Sequence, residues 1–295
     1  MDDFEKHLTE NRDKNMTVVT PGGNHGDTLI HMGLVKKLKE NNINYTCLNL
    51  EQLYNKNRVL GAKYIVNIGL WKLGSTWGFK LLDISDETDL ILFEGGGYMN
   101  DVWFGPALLR QVMKRNPQPV TVGPQSFLFT DTKFDEYFKD NRSVHLFCRE
   151  EYSYKHLAEK RLPGNVSYSV SPELALYLTA DDLMDYIADN EGGYELVAFR
   201  RDKESALNPV ANSREMGLCK NPLVSDVSMV GTMKDFVTTI YNATQIYTDR
   251  LHVAILSKIL GKKVILFGNK YHKNQGVWEL SLREHVEYVE SSSGF

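Results

Sequence analysis

The chain has 295 residues, 42% hydrophobic and 24% charged, which excludes a disordered or fibrous chain and predicts two domains, each able to bury its own core. Its 34 Lys and Arg stand against 38 Asp and Glu, a formal net charge of -4 that lacks the basic excess of a dedicated nucleic-acid binder. No stretch approaches a membrane span, the N-terminal MDDFEKHLTENRDKN lacks the apolar core of a secretory signal, and Cys47, Cys148 and Cys219 show no metal-ligand spacing. The expectations are therefore a cytoplasmic chain with no nucleic-acid partner, no membrane-spanning segment though room for peripheral association, reduced and buried thiols, and no metal.

In chain order, MTVVT (16–20) reads as a strand, runs into PGGNHGD, and is followed by a helical pattern from Thr28, TLIHMGLVKKLKENN. NYTCLNL, KYIVNI, DLILFE and PVTVGP read as further strands, and 102–115 and 150–160 as helices. Short apolar strands alternating with helices predict a parallel sheet covered on both faces. After Leu178 the acidic TADDLMDYIADNEGG reads as a helix ending in a Gly pair, and the domain boundary is placed where it begins, at 179/180. The alternation restarts with ELVAF as a strand, MKDFVTTIYNA as a helix, TQIYT as a strand, RLHVAILSKIL as a helix, KKVILF as a strand and a helix near 276–283. Residues 203–222 have no clean period and read as a loop over a site.

In such sheets ligands bind beyond the carboxyl ends of the strands. Glycine loops fall there three times: Gly22-Gly23-Asn24-His25-Gly26-Asp27, Glu94-Gly95-Gly96-Gly97-Tyr98, and Gly123-Pro124-Gln125-Ser126. Each admits either a ligand against the backbone or a tight chain reversal. In the second half, TQIYT leads into Asp249-Arg250-Leu251-His252, with Asp249 as the expected cap and Arg250 and His252 in the first helical turn. An arginine there can fork onto a carboxylate or phosphate, and a histidine can move a proton to the group so held. The same residues also suit an Arg250–Asp249 pair and a packed imidazole. Arg200 and Arg201 follow ELVAF, and Lys270, His272 and Lys273 follow KKVILF, which suggests one anion-binding mouth. The chain lacks a phosphate loop, a dinucleotide fingerprint and a nucleophile elbow, which disfavours a kinase, a dinucleotide oxidoreductase and a serine hydrolase.

The ordered set GGNHGD, FEGGGYMND, VTVGPQS, FCREEYSYKHL, SPELALYL, VAFRR and YTDRLHVAILSKILGKKVILFGNKYHK resembles the polysaccharide pyruvyl transferase family over roughly residues 17–275. The resemblance implies an α/β fold of two Rossmann-like domains with parallel sheets facing a cleft, GT-B-like, with residues 1–179 on the acceptor-sugar side and 180–295 on the donor side. It implies phosphoenolpyruvate as donor, no further cofactor, and a saccharide or lipid-linked or polymeric glycan as acceptor. Carried over residue by residue, it puts Arg200 or Arg201, Arg250 and His252 at the donor, with Lys273 beside them. Departures are Thr248-Asp249 where Ser usually leads, Arg149-Glu150 for an arginine-aspartate pair, and Glu173 for Asp.

Ketal formation from an enol ether requires a proton at C3, a developing oxocarbenium at C2 and a stabilised phosphate leaving group. His252 is the expected general acid and Arg250 the clamp. Asn24, Asp27, Glu94, Gly95, Gly96, Asp101 and Gln125 are the expected acceptor-side or cleft-loop residues, with Asp27, Glu94 or Asp101 to orient or deprotonate the sugar. A GT-B glycosyltransferase using a nucleotide sugar is the alternative, and a non-catalytic saccharide-binding protein is a distant third.

Overall fold

A computed structural model of the protein describes residues 1–188, 193–202 and 222–290. Contacts group the chain into two compact units, Met1–Gly23 with Leu34–Leu174, and Asn24–Gly33 with Ala175–Phe295.

The first unit carries a six-stranded sheet in which every neighbour pair is parallel. Its strands are β1 (Met16–Thr20), β2 (Tyr45–Asn49), β3 (Leu90–Phe93), β4 (Val120–Gln125), β5 (Val144–Cys148) and β6 (Val166–Val170), in the order β2-β1-β3-β4-β5-β6. β1, β3 and β4 are buried at every position, as expected of strands covered on both faces. The helices are α1 (Asp3–Glu10), α2 (His25–Glu40), α3 (Leu50–Lys56), α4 (Arg58–Lys72), α5 (Gly105–Arg115) and α6 (Glu151–Glu159). α1 comes from a segment that reads as polar throughout. Asp2 and Glu5 form a capping box there, Phe4 and Leu8 are buried, and Phe4 N donates to Ser171 Oγ at 3.0 Å.

KYIVNI, expected as a strand, lies inside α4. Its apolar run is flanked by Leu60 and Trp71 at helical spacing, and Leu60, Tyr64, Ile68 and Trp71 pack together on the core of the first unit. Asn57 caps the helix by accepting from Val59 N and Leu60 N. Two strands of this unit went unread, β5 and β6, because His145 interrupts the apolar run of one and Ser167 and Ser169 that of the other.

The second unit carries a five-stranded parallel sheet, order β11-β10-β9-β7-β8. Its elements are β7 (Tyr194–Ala198), β8 (Leu223–Val224), α7 (Met233–Asn242), β9 (Ala243–Thr248), α8 (Leu251–Ile259), β10 (Val264–Phe267), α9 (Lys273–Val277) and β11 (Glu287–Val289). Leu29 of α2 is buried in this unit's core with Ile246, Leu251 and Ile255. Among its described residues the acidic segment expected as a helix forms a 3₁₀ turn at Asp181–Tyr186, and the helix expected near 276–283 is α9 continued by a π turn, Trp278–Leu282. The expected loop over 203–222 falls almost wholly outside the described residues, as does Cys219. Cys148 is buried as expected, whereas Cys47 on edge strand β2 is exposed. No helix among the described residues is long and apolar enough to cross a membrane.

Candidate active site

All strands of the second sheet point the same way, so the residues following β7, β8, β9 and β10 gather at one edge. Arg200, which follows β7, is buried, and its Nε and Nη2 donate to Asp202 Oδ1 and Oδ2 at 2.8 and 3.0 Å. Arg250, which follows β9, is buried too, and its Nε and Nη2 donate to Asp226 Oδ1 and Oδ2 at 2.8 and 2.5 Å. Arg250 Nη1 lies 3.6 Å from Asp202 Oδ2, so Asp202 connects the two guanidinia. Both pairs have the planar fork geometry that only arginine offers a carboxylate.

The backbone beneath is fixed as tightly. Asp249 is not the helix cap. Arg250 occupies that position with extended backbone angles, and Asp249 Oδ1 instead accepts from Arg200 N at 2.7 Å, tying β7 to β9. Thr248 Oγ1 accepts from Arg250 N at 2.9 Å and donates to Ala198 O at 2.6 Å. Asn274 Nδ2 donates to Asp249 O and Phe267 O at 2.8 and 2.9 Å, which adds β10 to the tie. Arg250 therefore sits one residue before the first turn of α8 and His252 within it.

His252 packs against the start of α2. A Cβ built on Gly26 would stand 2.5 Å from His252 Nδ1 and 2.7 Å from its Cβ, so only glycine fits opposite the imidazole. That start is built by Asn24 and Asp27. Asn24 Oδ1 accepts from Gly26 N at 2.8 Å, and Asp27 Oδ2 accepts from Asn24 N at 2.8 Å, a reciprocal cap. His25 N donates to Ser228 O at 3.1 Å, linking the loop after Asp226 to the same turn. A cavity of about 490 Å³ is lined by Arg201, Asp202, Ser225, Asp226, Met229 and Arg250 among others. Arg201 is exposed; Lys273 is buried, with Nζ 5.3 Å from the centre of the Tyr271 ring. The mouth is thus a charge-balanced lattice and not a bare cluster of cations: Arg200, Arg201 and Arg250 share it with Asp202, Asp226 and Asp249.

In the first unit the glycine loops after β3 and β4 pack on each other. A Cβ on Gly95 would approach Pro124 O to 2.7 Å, Gly96 N donates to Pro124 O at 2.9 Å, and Ser126 N donates to Gly96 O at 3.1 Å. Gln125 is buried and bridges the same loops, its Nε2 donating to Glu94 O at 2.8 Å and its Oε1 accepting from Tyr98 N at 3.3 Å. Glu94 itself is buried at the end of β3. Asp101 accepts from Thr130 N, Asp131 N and Thr132 N at 2.6, 2.9 and 3.3 Å, and from Thr130 Oγ1 at 3.0 Å. Burial works to raise its proton affinity, but these bonds outweigh it and hold the carboxyl below its ordinary range. Asp202 and Asp226 were absent from the sequence expectations: Asp202 stands only two residues from its forked partner Arg200, but nothing in the spacing marks Asp202 and Asp226 as partners of Arg250, 48 and 24 positions away.

The model of the polysaccharide pyruvyl transferase family matches residues 24–271. The chain belongs to the polysaccharide pyruvyl transferase family. It is accordingly a transferase, and the match spans both units, from the cap of α2 to the loop after β10. Among solved structures, a protein of Klebsiella pneumoniae described as functionally uncharacterized is 20% identical, with a TM-score of 0.66 covering 98% of this chain and 99% of that one. A UDP-GlcNAc 2-epimerase of Methanocaldococcus jannaschii, solved with UDP-GlcNAc and UDP, is 13% identical, with a TM-score of 0.52 over 94% of this chain and 89% of that one. A further UDP-N-acetylglucosamine 2-epimerase is 14% identical, with a TM-score of 0.50 over 94% and 83%. At these identities the likeness concerns the fold, two parallel sheets in a GT-B-like α/β arrangement. No curated protein matches the chain significantly in sequence.

Proposed function

We propose that this pyruvyl transferase moves the pyruvyl group of phosphoenolpyruvate onto two hydroxyls of a saccharide, forming a ketal and releasing phosphate. The observation that carries the reading is the linked pair Arg200 and Arg250, joined through Asp202 at a strand edge, with His252 in the adjoining first turn of α8. A donor with both a carboxylate and a phosphate suits two neighbouring guanidinium groups. Asp226 holds the Nε and Nη2 edge of Arg250, leaving Nη1 for the donor. Asp202 occupies the place an incoming carboxylate would take, so donor binding exchanges one carboxylate for another. Arg201 and Lys273 add positive charge around it.

In this scheme both sugar oxygens bond to C2, the C2–O bond to phosphate breaks, one hydroxyl proton ends on C3 and the other leaves with phosphate or solvent. His252 delivers the proton to C3, and Gly26 allows the imidazole its position. On the acceptor side, Asp101 is a weak base because the bonds that hold its loop also stabilise its charge. Asp27, beside His252 in the second unit, is left to orient or deprotonate the sugar, and Asn24 shapes its turn. Within the first unit, Gly95, Gly96 and Gln125 shape the loops around Glu94.

The test is incubation with phosphoenolpyruvate and a panel of aryl glycosides, with and without chelator, following product mass and free phosphate. A product heavier by one pyruvyl ketal, with phosphate released in both conditions, is expected. Consumption of a nucleotide sugar with release of nucleoside diphosphate would replace the reading with glycosyl transfer.

A further inference from the structure

The outer face of α4 is apolar where a surface helix is ordinarily polar. Its inner residues Leu60, Tyr64, Ile68 and Trp71 already pack on the core, so the helix needs no second apolar stripe to fold. Yet Val59, Ala62, Ile65, Val66, Gly69 and Leu73 repeat at helical spacing on the solvent side, with Val59 66%, Ile65 71% and Leu73 85% exposed. Trp77 extends the stripe at 59% exposure and meets Phe79 edge-on, ring centres 4.8 Å apart.

This ridge is fixed in place. Buried Asn67 donates to Phe79 O at 2.9 Å and accepts from Phe79 N at 2.7 Å. Lys114 Nζ donates to Thr76 O at 2.9 Å and Arg115 Nη2 to Gly78 O at 2.7 Å. Two aromatic rings are therefore held toward water by buried or charged partners, at the expense of apolar exposure.

The charge on the same stretch decides what the face fits. From Gln52 to Leu82 the sequence holds Lys56, Arg58, Lys63, Lys72 and Lys80 and no Asp or Glu, in a chain whose net charge is -4. We infer that α4 and the 73–80 segment form a docking surface for an anionic lipid bilayer, lying in the plane of the interface with Ile65, Leu73 and Trp77 inserted and the cations at headgroup phosphates. A groove of about 420 Å³ beside the stripe is lined by Leu53, Leu60 and Leu81 together with Lys63, Lys80 and Asp83; Asp83 pairs with Lys80 at 2.6 Å, so Lys63 is the cation the groove offers to a headgroup beside its apolar wall. A second copy of the chain fits this face poorly, because a two-fold contact would set Lys56, Arg58, Lys63 and Lys72 against their own copies, Lys80 being paired with Asp83. Trp and Lys at the margin of an apolar stripe are the side chains suited to a headgroup layer.

The inference stands apart from the assignment of donor and acceptor, so its test uses neither. The full-length protein is floated with vesicles of phosphatidylcholine alone or with phosphatidylglycerol, at low and high salt. Binding to the anionic vesicles, reduced at least tenfold in the neutral ones and in high salt, is expected. Ile65→Ser/Leu73→Ser and Lys56→Gln/Lys63→Gln/Lys72→Gln should each weaken it about tenfold or more while leaving the melting temperature and the turnover of a soluble aryl glycoside unchanged, all being surface positions. Tryptophan emission should shift to the blue on binding, and the shift should be lost in Trp77→Phe, which leaves Trp71, Trp103 and Trp278 in place. Equal partition to neutral and anionic vesicles, or no partition at all, overturns the inference. So does a dimer in sedimentation velocity that the Ile65→Ser/Leu73→Ser variant dissolves.

Discussion

Gly26 at the start of α2 lies so close to His252 in the first turn of α8 that a Cβ on it would come within 2.5 Å of the imidazole Nδ1. The atoms it would meet are Nδ1, Cβ and Cγ, the root of the side chain, so His252 cannot swing clear without leaving its rotamer. Gly26→Ala should therefore displace the imidazole and lower kcat by roughly 100-fold, the scale of a misplacement of about 1 Å, while phosphoenolpyruvate affinity stays within a small factor. Steady-state kinetics alongside calorimetric donor binding separates the two. Equal loss in both would make Gly26 a determinant of folding and not of His252 position.

The two aspartates of the arginine lattice should behave oppositely. If Asp202 holds the place of the donor's carboxylate, Asp202→Ala should tighten phosphoenolpyruvate binding severalfold. Asp226→Ala should weaken it, because Arg250 loses the fork that aims it. Arg250→Ala should cost roughly 2 to 3 kcal/mol of donor binding, and Arg250→Lys should not restore it, since an ammonium offers no planar fork. Titration calorimetry reads all four; weaker binding in Asp202→Ala would show that this carboxylate supports the site.

His252 should matter for the chemical step. His252→Gln is expected to lower kcat by about 100-fold or more with donor affinity nearly unchanged. A folded His252→Gln enzyme with near-full turnover would move the search for the proton donor to Lys270 and His272, which follow β10.

Stability should fall in mild acid. Burial, then the neighbouring His145 and Lys14, lower the pKa of His7 from 6.5 to about 4. Its Nε2 bonds Thr121 Oγ1 at 2.8 Å. Between those two pH values the unfolded chain binds the proton and the folded one does not. The stability tied to neutral His7 is thus full above about pH 6.5 and is lost as pH falls toward 4, by about 2 kcal/mol after allowance for partial exposure. Burial lowers the pKa of His145 as well, so the drop is shared. Urea unfolding at several pH values should show a shallower decline in His7→Gln, which keeps a polar atom but cannot titrate; parallel declines would assign the acid sensitivity elsewhere.

Much of this protein was readable from its chain alone. Short β-branched runs such as MTVVT and DLILF, alternating with helical periods, sufficed for two parallel α/β sheets, because strands buried on both faces leave a continuous apolar signature. Strand-end positions alone marked out Arg200, Arg250 and His252 as candidates. KYIVNI misled, since a six-residue apolar run fits strand or helix equally and only its packing through Leu60 and Trp71 chose the helix. The sequence placed Gly26 in one motif and His252 in another, 226 positions apart, and local spacing carries no record of which distant groups share a volume. Tertiary structure decided that contact. It likewise brought Asp202 and Asp226 onto the arginines, recruited Asp249 from helix cap to strand tie, and turned the second apolar face of α4 outward. The reason is common to all four: local periods determine elements, whereas the pairing of charges and the covering of faces depend on which elements the parallel sheets set side by side.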